Sequence, residues 1–380
     1  MQGLGDTTAM LAAFRKTYAD GLPGTGIAAS DRLRETAKFT PNPGALRMLS
    51  YAPGGLPAGS PLVVVLHGCT QTAEGYANAG GWLDLADRCG FAVLAPEQVG
   101  KNNPNRCFNW FAPQDVRRGQ GEAASIRAMI AAAVRLYSLD ADRVFVTGLS
   151  AGGAMTMAML AAYPEVFAAG AVIAGLPYGA ADNVSQAMMA MQGHYAATDT
   201  ALGEALRGAA RQPARTPRLS IWHGDADGVV RPSNAEAIAS QWAVAHGLAA
   251  EPAEVRTVPG RRHDVWRSAE GEVVMELHRL DGLAHGVPLA TLGAGGLGTP
   301  APYMLERGIS STWEIASFWG IAQPAAARPA SAPAGPPLAP PPAAPVHKGL
   351  SQNILEVVGR HVSADVQAVI AKALKSAGLT

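Results

Sequence analysis

Gly148-Leu149-Ser150-Ala151-Gly152 sets a serine between two glycines, where a run of strand formers, Arg143-Val-Phe-Val-Thr147, gives way to Ala, Met and Leu up to Ala162. The first run predicts a short buried strand and the second a helix. A chain turning so abruptly needs positions two before and two after the serine that carry no side chain. The turn lifts the Ser150 Oγ above the strand ends, where a base can reach it, and so offers a nucleophile for acyl transfer. With 43 glycines in the chain, the pentapeptide alone is also compatible with an ordinary glycine-rich turn. The strand before it and the helix after it favour the nucleophile.

Such a serine needs a histidine to take its proton and a carboxylate to hold that histidine, in the chain order Ser, Asp or Glu, His. Ile221-Trp-His-Gly-Asp-Ala-Asp-Gly-Val-Val230 supplies two aspartates after a predicted strand. The H-G-x-x-D-x-x-V spacing selects Asp227, while Asp225 reads as a turn residue bonding its own backbone. Of the later histidines, His246 ends a helix before Gly247 as a surface or capping residue. His263 follows Arg261-Arg262 in a polar turn, and His278 lies inside the alternating strand Glu272-Val-Val-Met-Glu-Leu-His278. His285 stands in the Gly282-Leu-Ala-His-Gly286 loop directly after that strand, the position expected of the general base. In this reading His285 takes the Ser150 proton during attack on an ester and returns it to the leaving alkoxide. Asp227 fixes the imidazole tautomer, and water then releases the acyl group.

The tetrahedral intermediate needs N–H donors aimed at its oxyanion. The backbone N–H of Ala151, next to the nucleophile, is one candidate. The other comes from Leu66-His67-Gly68-Cys69-Thr70-Gln71, after the first central strand, where Gly68 lets the chain approach and the Cys69 N–H completes the pair. His67 and His223 each open a His-Gly pair and read as structural. No His or carboxylate pair has ligand spacing, so neither a metal nor another cofactor is expected. Gly293-Ala-Gly-Gly-Leu-Gly298 lacks the strand-to-helix context of a nucleotide loop.

The elements that must position these residues alternate. Strands are predicted at 61–66, 91–95, 143–147, 169–174 and 219–222. Helices are predicted at 82–89, 121–137, 151–162 and 234–246. Uninterrupted apolar strands alternating with helices predict a mainly parallel central sheet with helices on both faces, and the Gly-x-Ser-x-Gly turn from strand to helix points within that class to the α/β-hydrolase fold. Residues 1–34 read as an extension with a helix near Thr8–Tyr18, and residues 35–321 as the catalytic domain. Residues 322–346 hold nine prolines and ten alanines and read as an extended linker. In 347–380, Ile354, Leu355, Val358 and Val362 share one helical face. Ser363 could cap a second helix bearing Val366, Val369, Ile370 and Leu374. A small helical appendage of this size needs a partner.

Thirty basic and thirty acidic side chains balance in 380 residues, which argues against a nucleic-acid or polybasic membrane surface. No stretch is apolar for long enough to span a membrane. Met1-Gln-Gly-Leu-Gly-Asp6 lacks the pattern of a signal peptide, so the provisional compartment is cytoplasmic. Cys69, Cys89 and Cys107 cannot all pair within one chain.

Leu66-His-Gly-Cys-Thr-Gln71, Asn105-Arg-Cys-Phe-Asn-Trp110, Gly148-Leu-Ser-Ala-Gly-Gly-Ala-Met155, Tyr163-Pro-Glu-Val-Phe167 and Ala174-Gly-Leu-Pro-Tyr178 together resemble the polyhydroxybutyrate depolymerase family of esterases, related to feruloyl and acetylxylan esterases. The resemblance covers about residues 35–321. It implies an α/β-hydrolase fold, ester hydrolysis without metal, the triad Ser150, Asp227 and His285, and the Cys69/Ala151 oxyanion hole. Cys69 and Cys107 occur together in the family motifs, which implies proximity. A disulfide and two buried thiols both remain open, while Cys89 reads as a buried helix residue. The family histidine is usually followed by Ala-Trp-Pro. Here Gly286-Val-Pro288 follows His285, so the wall beside the base lacks a Trp. Many members of the family are extracellular, which leaves the compartment open.

The expected function is therefore a serine esterase acting on poly(3-hydroxybutyrate) or hydroxyalkanoate oligomers. A feruloyl or acetylxylan esterase is the enzymatic alternative. Trp110 and Phe111 are candidates for an apolar substrate wall, or equally for core aromatics. A non-enzymatic alternative is a polymer-granule-binding protein acting through the C-terminal tail. That tail could dock on a granule, on its own catalytic domain or on a second protomer.

Overall fold

The computed structural model describes residues 32–322 apart from 38, 196, 211–215 and 294. The expectations for the N-terminal helix, for nearly all of the linker and for the C-terminal appendage, with its granule-binding alternative, lie outside the described residues.

The strands are β1 (Arg34–Glu35), β2 (Arg47–Tyr51), β3 (Leu62–Leu66), β4 (Ala92–Glu97), β5 (Val144–Leu149), β6 (Ala169–Ile173), β7 (Arg218–Gly224), β8 (Glu254–Val258), β9 (Arg261–Arg267), β10 (Val273–Leu280), β11 (Val287–Leu289) and β12 (Met304–Glu306). Ten of them form one sheet in the order β1-β2-β4-β3-β5-β6-β7-β10-β9-β8. The six from β4 to β10 in that order run parallel, and antiparallel strands flank them on both edges. β11 and β12 form a separate parallel pair. This is the mainly parallel α/β architecture expected from the sequence.

The period-2 alternation of each strand divides the core into two layers. Leu62, Val64, Leu66, Val144, Val146, Leu219 and Ile221 face one layer, shared with the helices Gly121–Tyr137, Ala151–Ala162 and Ser233–His246. Val63, Val65, Phe145, Ile173 and Trp222 face the other, with Ala73–Ala79, Trp82–Cys89 and Ser311–Phe318. Each fully buried Val or Leu contributes roughly 1.5–3 kcal/mol. Trp319, just after the helix Ser311–Phe318, packs into the second layer. Its ring stacks on Trp82 at 5.7 Å and on Phe145 at 5.1 Å. The helix Ala151–Ala162 is buried along its whole length, so its sequence is small and apolar all round rather than amphipathic.

One sequence expectation is corrected here. His263 lies within strand β9, paired with β10, and not in a polar turn. Its neighbours Arg261, Arg262, Asp264 and Arg267 hid the strand. β9 is second from the sheet edge and its polar side chains reach solvent or ion pairs, so it carries no apolar run to read.

Candidate active site

The elbow is as tight as its glycines imply. Ser150 has φ 57° and ψ −118°, a left-handed conformation that non-glycine residues rarely adopt. A Cβ on Gly148 would run into the Gly152 backbone, and one on Gly152 into the Leu66 carbonyl. Strand β3 therefore passes directly beneath the turn. The Ser150 N–H donates to the Ile173 carbonyl at 2.9 Å, and the Ser150 carbonyl accepts from Ala154 N–H at 2.9 Å. The strain is thus held from both sides.

Asp227 follows β7 and His285 follows β10, and these strands are paired. Asp227 Oδ2 lies 2.7 Å from His285 Nδ1. Its Oδ1 accepts from the N–H groups of Val229 at 2.8 Å and Val230 at 2.9 Å. Burial alone would raise the pKa of this carboxyl, but hydrogen bonds with His223 and His285 hold it well below the usual carboxylate range. An ionised Asp227 fixes the proton on His285 Nδ1 and leaves Nε2 as the acceptor. Nε2 is buried and has no hydrogen-bond partner among the described residues, so no bond joins it to Ser150 Oγ in this state. Such contacts commonly close only around substrate. Ser150, Asp227 and His285 are 4%, 1% and 6% exposed.

Two histidines read only as structural support this machinery. His223 Nε2 lies 2.8 Å from the Val230 carbonyl and 3.3 Å from Asp227 Oδ2, clasping the loop that carries the aspartate. His67 Nδ1 donates to the Gly68 carbonyl at 2.7 Å, while its Nε2 accepts from Gln98 N–H at 3.1 Å. Complete burial pushes its pKa down, which suits this neutral tautomer.

The loop after β3 is held at several points. Gly68 N–H donates to Gln71 Oε1 at 2.8 Å, Thr70 N–H to the Asn105 carbonyl at 2.7 Å, and Gln71 N–H to the Gly68 carbonyl at 3.3 Å. The Cys69 N–H takes no part in these bonds, and the Ala151 N–H belongs to the unpaired first turn of its helix. Cys69 and Cys107 are joined by a disulfide, which links this loop to the Asn105–Trp110 segment. Glu122 braces that segment from below. Its carboxyl group accepts from Asn109 N–H at 2.9 Å and Asn109 Nδ2 at 2.8 Å, and also from Gln98 Nε2.

Trp110 and Phe111 meet edge to face at 5.7 Å. They belong to one apolar cluster with Cys69, Cys107, Ala151, Leu176, Met191 and Val230. That cluster contains both oxyanion candidates, so the two aromatics are packed residues on the site's apolar side. Tyr303 was not anticipated. Its ring stands edge-on to His285 at 5.9 Å, because β12, which it precedes, pairs with β11 just after the histidine. It supplies an aromatic beside the base, where the sequence after His285 has none. Eighteen residues separate the two, and nothing local in the sequence signals the contact.

The linear spacing of histidines and carboxylates also concealed a cluster away from Ser150. Among the described residues, His263, Glu276 and His278 converge, because β9 and β10 pair.

Comparison with known proteins follows this geometry. The profile of the family described as esterase PHB depolymerase matches residues 47–265, which include Ser150 and Asp227. The poly(3-hydroxyalkanoate) depolymerase C of Paucimonas lemoignei is 42% identical over 291 residues, covering 76% of this chain and 70% of that protein. Feruloyl esterase B of Talaromyces funiculosus is 31% identical over 230 residues, 58% of this chain and 64% of that one. The solved acetyl xylan esterase from Aspergillus awamori superposes with a TM-score of 0.65 at 23% identity, covering 76% of this chain and 99% of that one. At that identity the superposition speaks to the fold.

Proposed function

The chain belongs to the esterase PHB depolymerase family, an ester hydrolase family, and from that premise we propose that it cleaves poly(3-hydroxybutyrate) or hydroxyalkanoate oligomers through Ser150, His285 and Asp227. One observation carries the chemical part of the reading. Asp227 holds His285 by Nδ1 at 2.7 Å, leaving a buried Nε2 without a hydrogen-bond partner among the described residues, and Ser150 sits at a strained elbow between a strand and a helix.

In this reading His285 Nε2 removes the Ser150 proton as Oγ attacks the ester carbonyl. The oxyanion settles between the N–H groups of Cys69 and Ala151, each such donor being worth roughly 10²–10³ in rate. The imidazolium, stabilised by Asp227, protonates the departing alkoxide. Water activated by the same nitrogen then hydrolyses the acyl-enzyme. The apolar cluster around Trp110, Phe111, Leu176 and Val230 is suited to the methyl-bearing acyl unit of a hydroxyalkanoate. The 42% identity to a depolymerase against 31% to a feruloyl esterase favours this substrate over plant-wall esters.

The test is a substrate panel of hydroxybutyrate oligomers, amorphous polymer, methyl ferulate and acetylated xylan. Oligomers should be turned over with the highest kcat/KM, and Ser150→Ala should lower it by roughly 10⁴–10⁶. Faster cleavage of methyl ferulate or acetylated xylan would contradict the substrate. A Ser150→Ala protein of near-normal activity would contradict the nucleophile.

A further inference from the structure

His263 on β9 and His278 on β10 are register partners across an antiparallel pair. Glu276, two residues before His278, shares its face of the sheet. The imidazoles of His263 and His278 stack at 4.1 Å with 10° between planes, and His278 stacks in turn on Trp222 at 3.8 Å. The Glu276 carboxylate reaches both rings. Its Oε2 lies 3.1 Å from His263 Nε2, and its Oε1 lies 3.2 Å from His278 Nε2. The second approach is not aligned as a hydrogen bond, and both ring nitrogens of His278 are buried without a hydrogen-bond partner among the described residues. His278 is 2% exposed, and buried polar atoms are ordinarily hydrogen-bonded, so two unpaired ring nitrogens here call for a partner.

One ligand atom from each of the three residues falls within 4.8 Å of the others. Around a tetrahedral ion with bonds of about 2.0–2.1 Å, ligand atoms stand about 3.3 Å apart, which the two N–O separations approach; because an imidazole binds a metal in its own ring plane, the half-buried His263 ring must turn out of its stack on His278 to complete the set. Glu276 is also oriented from behind. Ser220 Oγ donates to its Oε1 at 2.6 Å, and Trp222 Nε1 donates to Ser220 Oγ at 2.8 Å. Carboxylates that ligate metals are themselves hydrogen-bonded in this way. A depression of about 560 Å³, lined also by Arg218, Trp313 and Phe318, opens onto the three residues. Of the arginines around it, Arg261 is paired with Glu314, and Arg256 and Arg267 with Glu254.

We propose that His263, Glu276 and His278 bind one divalent transition metal of the zinc type, with the remaining coordination position facing the depression. Two imidazole nitrogens and one carboxylate oxygen suit zinc, cobalt or nickel. Calcium and magnesium require sets made of oxygen. The ion would tie β9, one strand in from the sheet edge, to β10, the strand that leads into the His285 loop. The proposal does not depend on the substrate assigned above.

The experiment uses the full chain without an affinity tag, stripped with EDTA and titrated with ZnCl₂ by calorimetry, with metal counted by mass spectrometry. One zinc per chain should bind with micromolar or tighter affinity, and saturation should raise Tm by a few degrees, because the ligand binds only the folded chain. His263→Ala, at a half-buried position, should weaken binding at least tenfold, as should Glu276→Gln. Cobalt in place of zinc should give visible absorption bands that both variants lose. Absence of stoichiometric zinc, or binding unchanged in His263→Ala, would overturn the site. His278→Gln, if it folds, should behave like His263→Ala.

Discussion

Asp227 and His285 are 58 residues apart in the chain and 2.7 Å apart in space. They meet because β7 and β10, whose ends they follow, run parallel as neighbours, with His278 paired to Trp222 and Leu280 to Gly224. Replacing Asp227 by Asn keeps the shape of this contact but lets His285 adopt the wrong tautomer. We expect Asp227→Asn to fold and to lose about 10³–10⁴ in kcat on a p-nitrophenyl ester. Activity within tenfold of wild type would contradict the role given to the aspartate.

The elbow glycines make a stability prediction. A Cβ at Gly152 collides with the Leu66 carbonyl of β3, and the buried strand cannot retreat. Gly152→Ala should cost about 3 kcal/mol or more, read as a lowered urea midpoint, and should abolish turnover. Gly54, where an added Cβ meets nothing, is the control, and alanine there should change the midpoint little.

Two buried carboxyls give stability opposite pH dependences. Asp227 has a lower pKa folded than unfolded, so its contribution is present above about 3.8 and is lost as the pH falls through the folded value. Glu122 is pushed up to about 8 by burial and by Asp115, against the donors from Asn109 and Gln98. The folded chain then keeps a proton that the unfolded chain releases above about 4.5, so stability declines from there to about pH 8 and levels off. Urea midpoints measured across this range should show both limbs. Asp227→Asn should flatten the acid limb, and Glu122→Gln the decline towards pH 8. A wild-type profile that rises from pH 5 to pH 8 would refute the assignment to Glu122.

The disulfide closes a loop with a sequence separation of 38 beside the oxyanion candidates. Unfolding without reductant should expose one titratable thiol, Cys89, and unfolding with reductant three. Reduction should cost roughly 2–4 kcal/mol of stability. Three thiols in the unreduced protein would place Cys69 and Cys107 among ordinary buried cysteines and favour a reducing compartment.

Much of the fold was legible because the central strands are buried on both faces. β3, β4, β5 and β6 therefore read as unbroken apolar runs, and Gly-x-Ser-x-Gly marks the turn after β5. Asp227 and His285 are singled out by their places after strands and by chain order, and the structure pairs their side chains at 2.7 Å. What stayed hidden depends on strand pairing. β9 carries charge instead of an apolar run, so His263 read as a turn residue. Its meeting with Glu276 and His278 is a property of register. The Tyr303 ring reaches His285 only because β11 and β12 pair, and the His223 clasp on Asp227 forms only once the loop after β7 closes.

The central claim is that Ser150 is the group His285 activates, and covalent labelling tests it most directly. Treatment with diethyl p-nitrophenyl phosphate should add one diethylphosphoryl group per chain, on the peptide containing Ser150, in step with loss of esterase activity. Ser150→Ala should take up none, and His285→Ala should react slower by several orders of magnitude. Full inactivation with the label on another residue, or equal labelling of Ser150→Ala, would contradict the account.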